Sequence, residues 1–78
     1  MKSDLVDITA ALIHATPASV LISASGEEAK AVWLPKSRIE VHETGKSSQT
    51  TLRNGQIVML PVVEVTLPQR LAAEKGLI

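Results

Sequence analysis

The chain has 78 residues, which is room for one small domain and not for a second. Eight Lys and Arg offset eight Asp and Glu, and there is no Cys, so a polybasic nucleic-acid binder, a disulfide scaffold, a thiolate metal site and a thiol nucleophile are all excluded. Apolar residues make up 45% and charged residues only 21%, a composition that folds rather than staying disordered.

Val6, Ile8, Ala10 and Leu12 alternate with Asp7, Thr9, Ala11 and Ile13, the pattern of a strand with one buried face. A helix started by Asp4 and running through Leu5, Ile8, Leu12 and Ala15 competes for residues 5–15. The strand is preferred, because Ala15-Thr16-Pro17 then turns the chain into a second β-rich run, residues 19–23. Ser25-Gly26-Glu27-Glu28 reads as the next turn. Residues 29–34 read as an alternating strand that stops at Pro35, which has no N–H to give a ladder. Pro35-Lys36-Ser37 reads as a tight turn, Ile39 and Val41 restart a strand beside Arg38, Glu40 and His42, and the polar stretch 44–49 reads as a loop.

Asn54-Gly55 is the strongest local signal, a pair that tolerates the two positive φ angles of a type I′ turn. It sets a hairpin tip between a strand at 50–53 and one at about 56–66. In the second of these, Val58, Leu60 and Val62 lie on one side and Ile57, Met59, Val63 and Val65 mostly on the other. Pro61 there demands a bulge, a kink or an edge position. Residues 68–75 read as a short helix, with Pro68 suited to its first position, Leu71 and Ala72 forming its apolar stripe, and Gly76 the left-handed residue after it; Leu77 would fold back on the stripe. The expected architecture is one mainly β domain over residues 1–78. It is a small five- or six-stranded barrel or bent antiparallel sheet, of the oligonucleotide-binding or Src-homology kind, with the helix at its C-terminal end.

The stretch Ala31-Val32-Trp33-Leu34-Pro35-Lys36-Ser37-Arg38-Ile39-Glu40 and the tail from Val65 to Ile78, with its Pro68, short helix and Lys75-Gly76-Leu77, resemble a group of small phage and prophage proteins. Those share a "WLPKS" turn and a similar ending. The resemblance covers about a third of the chain by motif and implies a phage or bacterial origin and a compact β-rich fold, with no activity or catalytic residue to carry over. Arg70 stands where the tail of that group often has a Trp, which removes a second aromatic from a binding surface.

Thr44-Gly45-Lys46-Ser47-Ser48 has the end of a phosphate-binding loop, but Glu40 stands where the motif needs its first Gly, and a nucleotide-binding fold does not fit in this length. The bland reading of a solvated loop is preferred. His14 and His42 fall short of a metal ligand set, and adjacent His42 and Glu43 on a strand point to opposite faces. Asp4 and Asp7 are too local for paired acid–base work, and no nucleophile elbow is present. No cofactor, no metal and no enzyme activity are expected.

Trp33 is the only aromatic residue. It reads first as the large core side chain of a small barrel, and second as a stacking platform or the anchor of a protein interface. Charge is uneven along the chain. Lys2 against Asp4, Asp7, Glu27 and Glu28 leaves the first 29 residues at net −3, and Lys30, Lys36, Arg38, Lys46 and Arg53 against Glu40 and Glu43 leave residues 30–53 at net +3. An ordinary mixed surface accounts for this; a basic phosphate-contacting face would need the Lys36–Arg38 turn and the Lys46–Arg53 segment to lie together. The asymmetry also suits pairing of two copies through an exposed strand edge.

The reading is a non-enzymatic binding module with a candidate surface of Trp33, Lys36, Arg38, Lys46 and Arg53. Its expected partner is a protein or a second copy, and the alternative is weak nucleic-acid binding by the basic middle. No stretch is long and apolar enough to span a membrane, Asp4, Asp7, His14 and Pro17 spoil a secretory leader, and a cytoplasmic location is expected.

Overall fold

Residues 5–15 form a strand because each half is paired to a neighbouring strand, the first half to the last strand of the chain and the second half to the strand that follows, which a helix could not be. The computed structural model describes residues 4–78; Lys2, counted above in the acidic N-terminal third, lies outside them. Strand β1 (Leu5–Ala15) lies antiparallel to the last strand from Leu5 opposite Pro68 to Ala11 opposite Val62. From Ala11 onward it pairs with β2 (Ser19–Ser23) instead, with one extra residue, Ile13, absorbed between the pairs Leu12–Ile22 and His14–Leu21. Thr16 holds the β1–β2 turn: its N–H donates to the Ser19 carbonyl (2.8 Å) and its hydroxyl accepts from the Ser19 N–H (3.0 Å).

After β2 the chain turns at Gly26, whose φ of 81° suits glycine. The expected strand at 29–34 is shorter than its alternation suggests. Residues Glu28–Lys30 make one 3₁₀ turn, closed by Lys30 N–H to Glu27 O and Ala31 N–H to Glu28 O, and β3 (Val32–Pro35) begins where Val32 meets Ile22. Buried Ser23 ties this connection down: its hydroxyl donates to Glu27 O (2.8 Å) and accepts from Glu27 N–H (3.0 Å). The expected turn after Pro35 is a second 3₁₀ turn, Lys36–Arg38.

The polar stretch 44–49 is not a loop. It belongs to β4 (Glu40–Thr51), which pairs along its whole length with β5 (Ile57–Pro68). Two extra residues, Thr44 and Gly45, are absorbed between the pairs Glu43–Val63 and Lys46–Val62. Gly45 takes a φ of 75°, while the Thr44 hydroxyl donates to the Val62 carbonyl (2.7 Å) and accepts from the Lys46 N–H (3.2 Å). A bulge is thus sealed by a side chain where the ladder is interrupted. Alternation was missing because β4 is an edge strand with most of its residues in water.

The hairpin tip is at Asn54-Gly55, but not as a type I′ turn. Only Gly55 has positive φ; Gly55 N–H bonds Leu52 O and Leu52 N–H bonds Gln56 O, so three residues form the loop, with glycine at the bulge position. The first strand accordingly ends at Thr51 rather than residue 53. Pro61 stands one residue past the last β1–β5 pair, where β5 has a neighbour on one side only.

The sheet order is β3-β2-β1-β5-β4, antiparallel throughout. It is open, with β3 and β4 as edges. A single bridge of Glu27 to Thr51, with Thr51 N–H donating to Gly26 O (2.9 Å), draws the β2–β3 connection against the far end of β4. The core lies on one face: Ala10, Val63, Val65 and Leu67 from the centre, Val20, Ile22 and Leu34 from β2 and β3, and Leu71 and Ala72 from α1 (Gln69–Glu74). Gly76 ends the helix with a φ of 71°, Leu77 N–H bonds Ala72 O, and Leu77 packs on the core.

Candidate interaction surface

Alternation along β3 puts Val32 and Leu34 inside, so Trp33 between them faces outward. It is 45% exposed, which corrects its reading as the main core side chain. Register places Trp33 opposite Leu21, and Leu21 opposite His14, giving a ladder across three strands on the outer face. The His14 ring meets the Trp33 ring edge-on at 6.0 Å and 90°. Trp33→Ala is therefore expected to cost about 1 kcal/mol, a fall in Tm of about 4–8 °C, rather than the roughly 3–5 kcal/mol of a core Trp. Thermal denaturation of the two proteins checks this.

The four cations of the candidate surface do not come together. Lys36 and Arg38 sit exposed on the 3₁₀ turn, anchored by Lys36 N–H to Ala18 O (2.8 Å). Arg38 lines a shallow cleft with Asp4, Pro68, Gln69, Arg70 and Glu74, so acidic side chains share its surroundings. Lys46 lies just past the bulge in β4, and Arg53 is in the hairpin loop, where its backbone N–H donates to the Glu28 carboxylate (2.9 Å). Between Arg38 and Arg53 runs the whole of β4, 12 residues long, which is roughly 35 Å of strand. The condition for a basic phosphate-contacting face is not met by this placement. Trp33 and Lys36 share one edge of the sheet; Arg53 belongs to the other end of the molecule.

The hairpin carries what the sequence reading did not single out. Ile57, Met59, Pro61, Val63, Val65 and Leu67 all lie on one face of β5. The last three are fully buried in the core, whereas Ile57 and Met59 are each 61% exposed and Pro61 is exposed beside them. Their partners across the ladder are Thr51, Gln49 and Ser47, also exposed. On the opposite face Val58, Leu60 and Val62 are half-buried. The signal was present in the seven successive apolar residues 57–63, a run that belongs to a strand covered on both faces. Here the chain covers one face of its outer half and leaves the other in water.

Asp7 accepts from the Thr66 hydroxyl (2.6 Å), and His42 Nε2 lies 3.9 Å from the Glu40 carboxylate across an exposed surface. Among the described residues no three His, Asp or Glu side chains are grouped to hold a metal ion, and no helix is long and apolar enough to cross a membrane. No family model matches the sequence, and no curated protein or solved structure matches it.

Proposed function

We propose that this protein is a non-enzymatic protein-binding module, acting in the cytoplasm, whose interface is the outer half of the β4–β5 hairpin. The observation that carries the reading is the uncovered face of Ile57, Met59 and Pro61, which continues the buried face of the core into solvent. A contiguous apolar strip on a small domain is the kind of surface that a protein partner covers, and methionine and isoleucine pack readily against varied shapes. The strip is uncharged and lies on the hairpin that ends the sheet, so its side chains are on offer for burial, while the outer end of the β4 edge is already engaged by the Glu27–Thr51 bridge. Trp33, with His14 and Leu21, is a second anchor at the other sheet edge. A barrel-like architecture of the Src-homology kind accords with the bridge from Glu27 to Thr51, and a phage or prophage origin rests on the resemblance of the Trp33–Ser37 turn and the C-terminal segment.

The separation of the basic residues gives the nucleic-acid alternative no common footprint. The test is photochemical: with a photoreactive residue in place of Met59, irradiation in the cell that makes the protein is expected to give adducts with protein. Reaction with water alone would remove the hairpin from the reading.

A further inference from the structure

We propose that Asn54 is a site of spontaneous covalent modification, closing with Gly55 to a cyclic imide that opens to aspartate and isoaspartate, and that the change unfastens the hairpin tip from Glu28. Asn54 is the only asparagine in the chain. It is exposed and lies in the loop between β4 and β5, outside the ladder that ends at the pair Thr51–Ile57.

The loop favours the reaction in three ways. The residue after Asn54 is glycine, so no side chain shields the attacking nitrogen, and a Cβ there would meet no atom within 4 Å, so nothing else crowds it. Asn54 Oδ1 accepts from the Gln56 N–H (2.9 Å), a bond that reaches across the Gly55 peptide. It carries the side-chain carbonyl over the peptide that holds the Gly55 nitrogen and draws electron density from Cγ, the atom to be attacked. The Gly55 N–H is itself held by a single bond to Leu52 O (2.9 Å), in a tip whose residues 53–56 are all exposed, so brief local opening frees it.

In the first step the Gly55 nitrogen attacks Asn54 Cγ. The N–Cγ bond forms, the Cγ–Nδ2 bond breaks, and Nδ2 leaves as ammonia, taking from solvent a proton to match the one that Gly55 gives up. In the second step a water molecule opens the ring at either carbonyl. Opening at Cγ breaks the new bond and leaves aspartate in an unaltered backbone. Opening at the main-chain carbon breaks the original peptide bond to Gly55 and leaves isoaspartate, with the backbone running through Cβ and Cγ. Both products are carboxylic acids, ionised at neutral pH.

The Glu28 carboxylate accepts from the Arg53 N–H (2.9 Å), one residue before the new charge. That bond and the one from Thr51 N–H to Gly26 O fasten the hairpin to the β2–β3 connection. A carboxylate at residue 54 opposes Glu28 by like charge. Isoaspartate also adds one carbon to the backbone of the loop, so the bonds from Gly55 N–H to Leu52 O and from Leu52 N–H to Gln56 O lose the spacing they share.

The intact chain, kept folded at neutral and at mildly alkaline pH and digested at intervals, is read by mass spectrometry. The expected result is the mass gain of an amide turned acid, confined to the peptide that carries residue 54 and faster at the higher pH, with isoaspartate confirmed by methyltransferase labelling. A synthetic peptide of residues 50–58 is the unfolded reference, and the folded chain should convert within about tenfold of its rate. Asn54→Gln, whose longer side chain closes the wrong ring, should gain no mass over the same time. In the converted protein, hydrogen exchange at the Arg53 N–H should quicken by about tenfold over the parent. A folded chain that stays unmodified while the peptide converts overturns the proposal, as does a converted chain whose Arg53 N–H is as protected as before.

Discussion

Leu34→Ala is expected to remove about 3–4 kcal/mol of stability, a large part of the roughly 4–12 kcal/mol available to a chain of this size. Leu34 is fully buried, and it is the only such residue in β3, an edge strand of four residues. It joins Ile22 and Val20 of β2 to Val63, Val65, Leu67, Leu71 and Ala72 in one cluster. Truncation there loses the transferred methyl groups and leaves a cavity that a short strand held by few other contacts fills poorly. Because β3 leads directly into the Lys36–Arg38 turn, loosening it also frees that turn. Urea denaturation followed by circular dichroism checks the size of the effect. Met59→Ala, 25 positions along and exposed, is the matched control and should lie within about 0.5 kcal/mol of the parent. A loss below about 1 kcal/mol for Leu34→Ala would mean that β3 is not seated on the core.

Gly45→Val should cost about 2 kcal/mol although a side chain there has open space around its first carbon. A Cβ at that position would meet no atom within 4 Å, so space is not the issue. The cost is in the backbone: φ is 75°, a region that L residues enter with a penalty of about 1–2 kcal/mol and β-branched ones least readily. The bulge cannot relax without giving up the Thr44 hydroxyl bond to Val62 O and shifting every pair from Lys46–Val62 to Thr51–Ile57. The measurement is the urea midpoint of Gly45→Val beside that of Gly45→Ala. Identical midpoints for both variants and the parent would show that residues 44–49 are a free loop and not part of the ladder.

Around Gly45 the local sequence pattern and the structure part. Elements whose signal is local were legible: β1 from its alternation, β2 from the run after the Thr16-Pro17 turn, and the terminal helix from Pro68, Leu71, Ala72 and Gly76. The β4 segment around Gly45 was not, because an edge strand needs no apolar alternation when its partner supplies the register. Asn54-Gly55 located the tip, while the turn type depended on the three-residue spacing between Leu52 and Gln56, a property of the paired strands.

Trp33 was legible in principle. If Val32 and Leu34 point inward on one strand, the residue between them points outward, whatever its size. Scarcity of aromatics argued for the core; pleating outweighed it. The candidate site depended on long-range placement and so could not be assembled from spacing. Lys36 and Arg38 end up at one end of β4 and Arg53 at the other, and the apolar face of Ile57 and Met59 stands out only once the cover over Val63 to Leu67 is seen to stop there.

What touches residue 59 in the cell decides between the hairpin face and the basic turn. A photoreactive side chain placed there, with matched reporters at Lys36 and Arg38, compares the hairpin face with the basic turn in one experiment. The expected result is a discrete adduct from position 59 that survives nuclease and is lost to protease. Silence at position 59 together with nuclease-sensitive adducts at Lys36 or Arg38 would contradict it and move the function to nucleic-acid binding by the turn.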